Sequence, residues 1–149
     1  MRTDRASVLA RIAALYVDKL ANPIFEPYGL SLAKYKIIGY LYKQLPGTVT
    51  TAELEEYFQM SHSTAVELLN SLDSSGFIKR EKRIGSGRSK VIFLTEQAKA
   101  VEGQLESAAL ALERDFTANL TDAEAAEYIR LSKKLLRIEE SEENENGKT

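Results

Sequence analysis

The segment from Ser61 to Ala100 constrains the fold of this 149-residue chain most strongly, because four local signals follow one another in it. Ser61 is a typical N-cap in front of an amphipathic helix, and Gly76 is a typical left-handed terminator behind it. β-branched and aromatic residues then flank the glycines at positions 85 and 87, which predicts a two-stranded hairpin with a long turn. Thr95 caps a further helix. This order can place one helix in a DNA groove with a charged loop beside it.

Composition narrows the class of protein. Hydrophobic residues make up 44% and charged residues 28% of the chain, and there is no cysteine. A chain of this length can bury about 68–70% of its unfolded surface without metal or disulfide bonds. Without thiols, and with His62 as its single histidine, the chain offers no convincing metal site or catalytic triad. We therefore expect a cytoplasmic protein that is not an enzyme, needs no cofactor and does not enter a membrane.

Charge is distributed unevenly along the chain, although the net charge is only −2. Between Lys79 and Lys90 lie six basic residues and one acid, Glu81. Five glutamates and one lysine lie between Glu139 and Thr149. The acidic end, at residues 141–149, is predicted to be a disordered tail. The positive charge of the rest is concentrated in the predicted hairpin.

Capping and breaking residues predict six helices. The first spans Arg5–Leu20 and ends before Pro23, because a residue that precedes proline avoids the helical conformation. Ser31 caps the second, and Pro46-Gly47 ends it. Thr50 with Glu53, and Thr121 with Glu124, have the spacing of capping boxes for the third and sixth helices. Ser61 caps the fourth helix, and Thr95 caps a long fifth one. The predicted fold class is mainly α with a small two-stranded β-wing, a winged helix-turn-helix with long N- and C-terminal dimerisation helices.

The predicted domains follow from which helices the central module can bury. Residues 31–95 form the winged helix-turn-helix, flanked by an N-terminal dimerisation helix and linker at 1–30 and C-terminal dimerisation helices at 96–140. The terminal helices carry apolar stripes, for example Ile12 with Leu15 and Leu131 with Leu135, that this small module cannot cover. A second copy of the chain would cover them. The alternative is a monomer in which these helices fold back.

Spacing along most of the chain resembles that of the MarR (multiple antibiotic resistance regulator) family. Residues 29–80 follow that family's second, third and recognition helices, and residues 83–100, RIGSGRSKVIFLTEQAKA, follow its wing and the start of its next helix. The resemblance implies a homodimer on a pseudo-palindromic operator, with repression relieved by a small aromatic or amphipathic effector. This chain departs from the family twice. Its wing lacks the usual aspartate ahead of Arg88, and Glu67 stands where the family often has a basic residue.

The candidate DNA-binding residues lie on the fourth helix and the hairpin. Placed on a helical wheel, Ala65, Leu68, Leu69 and Leu72 share one side, and the opposite side is polar. Asn70 can pair bidentately with adenine, whereas Glu67 either accepts from cytosine or repels phosphate. Arg88 is predicted to enter a minor groove. The predicted recognition-helix residues are Ser61, His62, Ser63, Thr64, Glu67 and Asn70, and the predicted wing and phosphate contacts are Thr50, Lys82, Arg83, Arg88 and Lys90.

Two alternatives remain open from the sequence. The polar helix face and the basic hairpin could be solvated surfaces without a DNA role, in a scaffold that binds a protein partner or small ligand. The resemblance also implies a ligand cleft between the dimer helices and the winged module, which Tyr16 and Tyr35 could line. The plainer role for these tyrosines is packing in the core and the interface.

Overall fold

Helices dominate the computed structural model, which describes residues 3–82 and 90–138. The chain divides into two units, residues 1–113 and 114–149. The elements in chain order are α1 (Ala6–Phe25), a 3-10 helix (Glu26–Tyr28), α2 (Leu32–Tyr42), β1 (Val49–Thr50), α3 (Thr51–Phe58), α4 (His62–Ser74), β2 (Ile78–Lys82), β3 (Lys90–Leu94), α5 (Glu96–Ala100), α6 (Glu102–Phe116) and α7 (Asp122–Leu136).

The predicted caps are confirmed. Each of the five side-chain oxygens accepts a hydrogen bond from a backbone N–H three residues on, in Ser31, Thr50, Ser61, Thr95 and Thr121. Only the box at Thr121 is reciprocal, since the Thr121 N–H also donates to Glu124 Oε1 over 2.9 Å. These hydrogen bonds hold the pKa of Glu124 below its usual value. The reciprocal bond predicted for Glu53 is wrong, because the exposed Glu53 side chain makes no such return contact.

The predicted end of the first helix is also wrong. Helix α1 continues through Pro23 to Phe25. Proline costs a helix one backbone hydrogen bond and a steric conflict. Continuing the helix keeps Ala21 and Phe25, four residues apart, on one fully buried face. The Phe25 ring stacks on Tyr35 of α2 with 4.5 Å between ring centroids. This burial offsets the cost of a proline inside the helix. The local sequence does not show that Phe25 is buried.

The fifth helix is interrupted where an unbroken one is predicted. Val101 has φ −102° and ψ 6°, so α5 ends at Ala100 and α6 begins at Glu102. Gly103 lies in the first turn of α6, and glycine has a helix propensity about 1 kcal/mol below alanine. The interruption therefore costs little in intrinsic helix stability. Ala98 before it and Leu105 after it are both fully buried.

The sheet has a third strand that the sequence analysis missed. Its order is β1-β3-β2, and both pairs are antiparallel. The predicted hairpin is confirmed by the pairing of β2 with β3, in which Lys82 lies opposite Lys90. Strand β1 adds only Val49 and Thr50, paired with Ile92 and Val91. Two residues are too short for an alternating pattern to be recognised.

The buried core fixes the orientation of α4. Ala65, Leu69 and Leu72 are fully buried, and Leu68 is partly buried, as the helical wheel predicts. The three leucines pack in the same core cluster as Ile78 of β2 and Ile92 of β3. Helix α4 ends at Ser74, and Gly76, two residues later, has a φ of 82° in the left-handed region. A glycine there avoids the steric cost that other residues would meet.

Apolar side chains remain exposed on the first and last helices. On α1, Leu9, Ile12, Leu15 and Tyr16 are between 38% and 70% exposed. No residue of α7 is buried, and Leu131 and Leu135 are 49% and 72% exposed. Ile138, two residues beyond the end of α7, is also 55% exposed. Exposed apolar stripes of this kind typically mark an interaction surface.

Candidate nucleic-acid interface

Helix α4 presents a continuous polar surface. The N-cap residue and the five predicted side chains of the helix are all exposed: Ser61, His62, Ser63, Thr64, Glu67 and Asn70. The first three hydroxyls cluster at the helix N-terminus, because Ser61 Oγ lies 2.9 Å from Thr64 Oγ1 and 3.2 Å from Ser63 Oγ. Backbone N–H groups and the helix dipole favour an anion at such an end. Hydroxyl and amide groups on this surface can also form hydrogen bonds with base edges.

His62 connects the two helices of the helix-turn-helix. Its Nδ1 contacts Glu55 Oε1 of α3 at hydrogen-bonding distance. The histidine side chain is nevertheless 76% exposed. The predicted role of His62 as a recognition-helix residue stays a prediction, and the contact with Glu55 is a feature that the sequence did not predict. The contact with Glu55 leaves Nε2 as the ring nitrogen that an external group could reach.

Arg80 is a residue of this surface that the sequence analysis did not single out. From β2, its Nη2 donates to Asn70 Oδ1 over 2.9 Å and to Asp73 Oδ2 over 3.1 Å. Alternation along β2 was the available signal, because side chains two apart share a face of a strand. Arg80 therefore shares its face with Ile78, which is buried in the core cluster that includes Leu69 and Leu72 of α4. A basic residue at that position can reach the helix.

Two lysines lie opposite each other where β2 ends and β3 begins, next to the segment 83–89 that connects the two strands. Lys82 and Lys90 are register partners, and both are exposed. Like charges directly opposite in an antiparallel pair are destabilising. An anion bound near both would relieve this repulsion. The predicted contacts Arg83 and Arg88 lie outside the described residues.

Thr50 lies on the other edge of the sheet from β2. It is the last residue of β1, and its hydroxyl accepts from the Glu53 N–H over 3.3 Å as the cap of α3. Its side chain is partly buried. The hydroxyl therefore already has a structural partner, and a phosphate contact at Thr50 stays a prediction, as do the roles of the other predicted site residues.

One of the two predicted ligand-pocket residues, Tyr35, borders a cavity among the described residues. Tyr35 borders a cavity of about 350 Å³ between α2, α3 and α6, together with Tyr40, Tyr57 and Glu106 among others, whereas Tyr16 is not part of its lining. Burial and then the nearby Glu106 carboxylate raise the pKa of Tyr35 above 10.0. Burial, followed by Glu102 and Tyr35, raises the pKa of Tyr42 in the same cavity to about 12. Both phenols therefore remain neutral hydrogen-bonding groups at physiological pH.

The part of the chain that the structure describes, residues 3–82 and 90–138, has neither a metal-binding cluster nor a helix suited to a membrane. Within that part of the chain, no three His, Asp or Glu side chains are grouped so as to hold a metal ion. No helix in it is both long and apolar enough to cross a bilayer.

Comparison with known proteins relates the chain to one family. The sequence profile of the MarR family matches residues 28–89. An HTH-type transcriptional repressor of Mycobacterium tuberculosis is 27% identical over 128 residues, which cover 86% of this chain and 90% of the relative. A DNA complex of MepR from S. aureus matches with a TM-score of 0.82 at 21% identity, covering 91% of this chain and 98% of that one.

A second solved structure of a protein bound to DNA has a similar fold to this chain. A mutant MarR from E. coli in complex with operator DNA matches with a TM-score of 0.79 at 24% identity, and the match covers 87% of this chain and 92% of that one. The structural matches establish the winged helix-turn-helix fold, and the profile covers the module that contains α4 and the hairpin. The chain is therefore similar to the MarR family over residues 28–89, and its fold is that of the solved MarR and MepR structures.

Proposed function

We propose that this chain belongs to the MarR family and is a transcription regulator that binds a pseudo-palindromic operator in double-stranded DNA as a homodimer. It represses transcription, and a small aromatic or amphipathic effector releases it. The observation that carries the proposal is the polar face of α4, which is exposed in full while the opposite face is anchored in the core. A DNA target would be met in the cytoplasm, which is the proposed location. No catalytic role is proposed.

The hairpin supplies the charge that this role requires. Lys82 and Lys90 lie opposite each other, and DNA phosphates near them would relieve their mutual repulsion. Binding of these lysines would also release counterions that are condensed on the DNA. Net charge does not oppose the role, since only charges near the duplex contribute to counterion release. The two similar DNA complexes have the same fold, which supports a groove-binding role for α4 here.

Exposed apolar stripes support the homodimer. Leu15 on α1 and Leu135 on α7 are 70% and 72% exposed in the single chain. Pairing with a second copy would remove these side chains from water, at about 25 cal/mol per Å² of apolar surface. Dimeric readers place their two recognition helices about one helical turn apart, which is why a pseudo-palindrome is expected.

The cavity beside Tyr35 supports a small effector. Its volume of about 350 Å³ is at the lower end of the range for small-molecule sites. Tyr40, Tyr57 and Phe58 pack edge-to-face or tilted beside it, with ring centroids 4.5 to 5.9 Å apart. Aromatic walls of this kind suit a planar ligand.

Fluorescence anisotropy tests the proposed function directly. The purified chain is titrated at 50 mM salt against a duplex from the region upstream of its own gene and against a shuffled duplex of equal length. We expect binding to both, and tighter binding to the upstream duplex. If the chain binds neither duplex, the result would favour the rival function, which is a winged-helix scaffold for a protein partner or small ligand. The exposed Glu67 on α4 is the observation that favours this rival.

Replacing Glu67 with glutamine is expected to raise the affinity for the shuffled duplex by about fivefold for each protomer in contact. The carboxylate lies on the exposed face of α4, and a unit charge about 4 Å from a phosphate interacts by about 1 kcal/mol in water. Asp18→Asn is the matched control, because it removes an exposed carboxylate from α1 and should leave the affinity unchanged. A loss of affinity in Glu67→Gln would instead identify Glu67 as a reader of a base.

A further inference from the structure

We infer that Arg80 is a positioning residue that decides which base edges Asn70 can read. The inference rests on the proposed function, because it concerns the same α4 surface. It goes further by assigning a hydrogen-bonding role to each atom of the Asn70 amide, and it makes a residue of the β-sheet a determinant of sequence preference.

The contacts of Arg80 hold two residues of α4 at once. Its Nε and Nη2 donate to Asp73 Oδ2 over 3.2 and 3.1 Å, and Nη2 also donates to Asn70 Oδ1 over 2.9 Å. The Arg80 side chain is only 23% exposed, whereas that of Asp73 is 44% exposed. A planar guanidinium held by two bonds to one carboxylate has little freedom left. The third bond therefore fixes the direction of the Asn70 amide.

The chemistry of the guanidinium determines which amide atom faces it. All of its N–H groups are donors and it has no acceptor, so the Asn70 atom in contact is the oxygen. The amide NH₂ group carries two donors on the other branch of the same planar group. An amide oxygen has two lone pairs, but the bond from Arg80 turns Oδ1 of Asn70 toward β2. The NH₂ group is therefore the part of Asn70 that is directed away from the sheet and remains to act on a ligand.

This arrangement changes the base preference expected of Asn70. Bidentate reading of adenine needs the amide oxygen and nitrogen at the same base edge, where N6–H₂ donates and N7 accepts. A donor-only Asn70 suits any acceptor in the major groove, namely adenine N7, guanine N7 and O6, or thymine O4. Cytosine presents the N4–H₂ donor there and is rejected. The predicted specificity is thus exclusion of cytosine and not selection of adenine.

Three variants separate positioning from charge. Arg80→Lys keeps the positive charge but loses the planar fork. Asn70→Ala removes the reader itself. Lys79→Ala, from the neighbouring exposed position of β2, removes a charge and leaves the contacts of Arg80 intact. Each is measured against a duplex that the wild-type protein has selected from a randomised library, with every base pair of one half-site then changed in turn.

At one position of the half-site, cytosine should weaken wild-type binding by about tenfold relative to the other three bases, the size of a typical base discrimination. Arg80→Lys and Asn70→Ala should both reduce that ratio below about threefold at the same position. Lys79→Ala should weaken binding to every duplex and keep the ratio. A merely structural role of Arg80 would lower all affinities together without changing the ratio.

Two results would overturn the inference while leaving the proposed function intact. One is a cytosine ratio that Arg80→Lys preserves but Asn70→Ala abolishes. The other is a wild-type preference for adenine alone at that position. Failure of the wild-type protein to select any sequence is a different result, because it would overturn the proposed function as well.

A measurement without DNA tests the positioning contact itself. The side-chain amide resonances of Asn70 in the free protein should differ from those of the exposed Asn119, and Arg80→Lys should shift them toward that reference. Unshifted Asn70 resonances would show that Arg80 does not hold the amide, and the inference would fail. Thermal unfolding of the same sample establishes that the variant is folded.

Discussion

Neutralising the hairpin should remove most of the DNA affinity and about two thirds to four fifths of the slope of log affinity against log salt concentration. If the wild-type dimer engages about 6–10 phosphates, its affinity falls by about 10³–10⁵-fold between 50 and 200 mM salt. In the neutral variant, with two phosphate contacts left, the fall should be about tenfold. Anisotropy titration at several salt concentrations gives both slopes. The four substitutions are Lys82→Ala, Arg83→Ala, Arg88→Ala and Lys90→Ala.

A charge-retaining variant is the matched control for this experiment. Exchanging lysine and arginine at the same four positions keeps every positive charge while altering hydrogen-bond geometry. Its salt slope should match that of the wild type, because the slope counts neutralised phosphates. Unchanged duplex binding by the alanine variant at 50 mM salt would contradict the proposed DNA-binding role.

The features that the sequence predicts well are those that depend on residues close together in the chain. Ser61 and Thr95 cap their helices because a hydroxyl needs only a backbone N–H three residues away. Gly76 ends α4 because its φ of 82° suits glycine and few other residues. The buried side of α4 follows from helical period alone. These local signals suffice to place the polar surface of α4.

The features that the sequence analysis missed depend on distant partners. Helix α1 passes Pro23 because Phe25 is buried and stacks on Tyr35, ten positions away. Strand β1 exists because β3 pairs with it from across the module. Arg80 of β2 forms a hydrogen bond with Asn70 of α4. The residues next to either of them in the sequence give no sign of this contact. Packing decides these features after the local propensities have been set.

Only part of the candidate site can therefore be predicted from the sequence. The exposure of Ser63, Glu67 and Asn70 follows from the helix they share. The hydrogen-bonding state of Asn70 does not, because it is set by a guanidinium from the sheet. Tyr35 borders the cavity and Tyr16 does not, which only the tertiary arrangement shows, and a ligand role for either stays a prediction.

Placing a charge on the apolar stripe of α7 should convert the dimer into a monomer. Leu135 is 72% exposed in the single chain, and Leu135→Glu would bury a carboxylate without a partner in the dimer interface, a penalty of several kcal/mol. The mass measured by light scattering should fall from twice the chain mass to 16.6 kDa. Operator affinity should fall toward that of nonspecific DNA, because one recognition helix can occupy only one half-site.

The same substitution elsewhere distinguishes interface from surface. Leu45 lies between α2 and β1 and is 77% exposed, so Leu45→Glu places an equal charge at an equally exposed apolar position of the winged module. It should leave the mass unchanged, since a solvated carboxylate there has no interface to disrupt. A dimer that survives Leu135→Glu would exclude α7 from the interface. A wild-type mass of 16.6 kDa would instead show that the terminal helices fold back on their own chain, and the pseudo-palindromic operator would lose its physical basis.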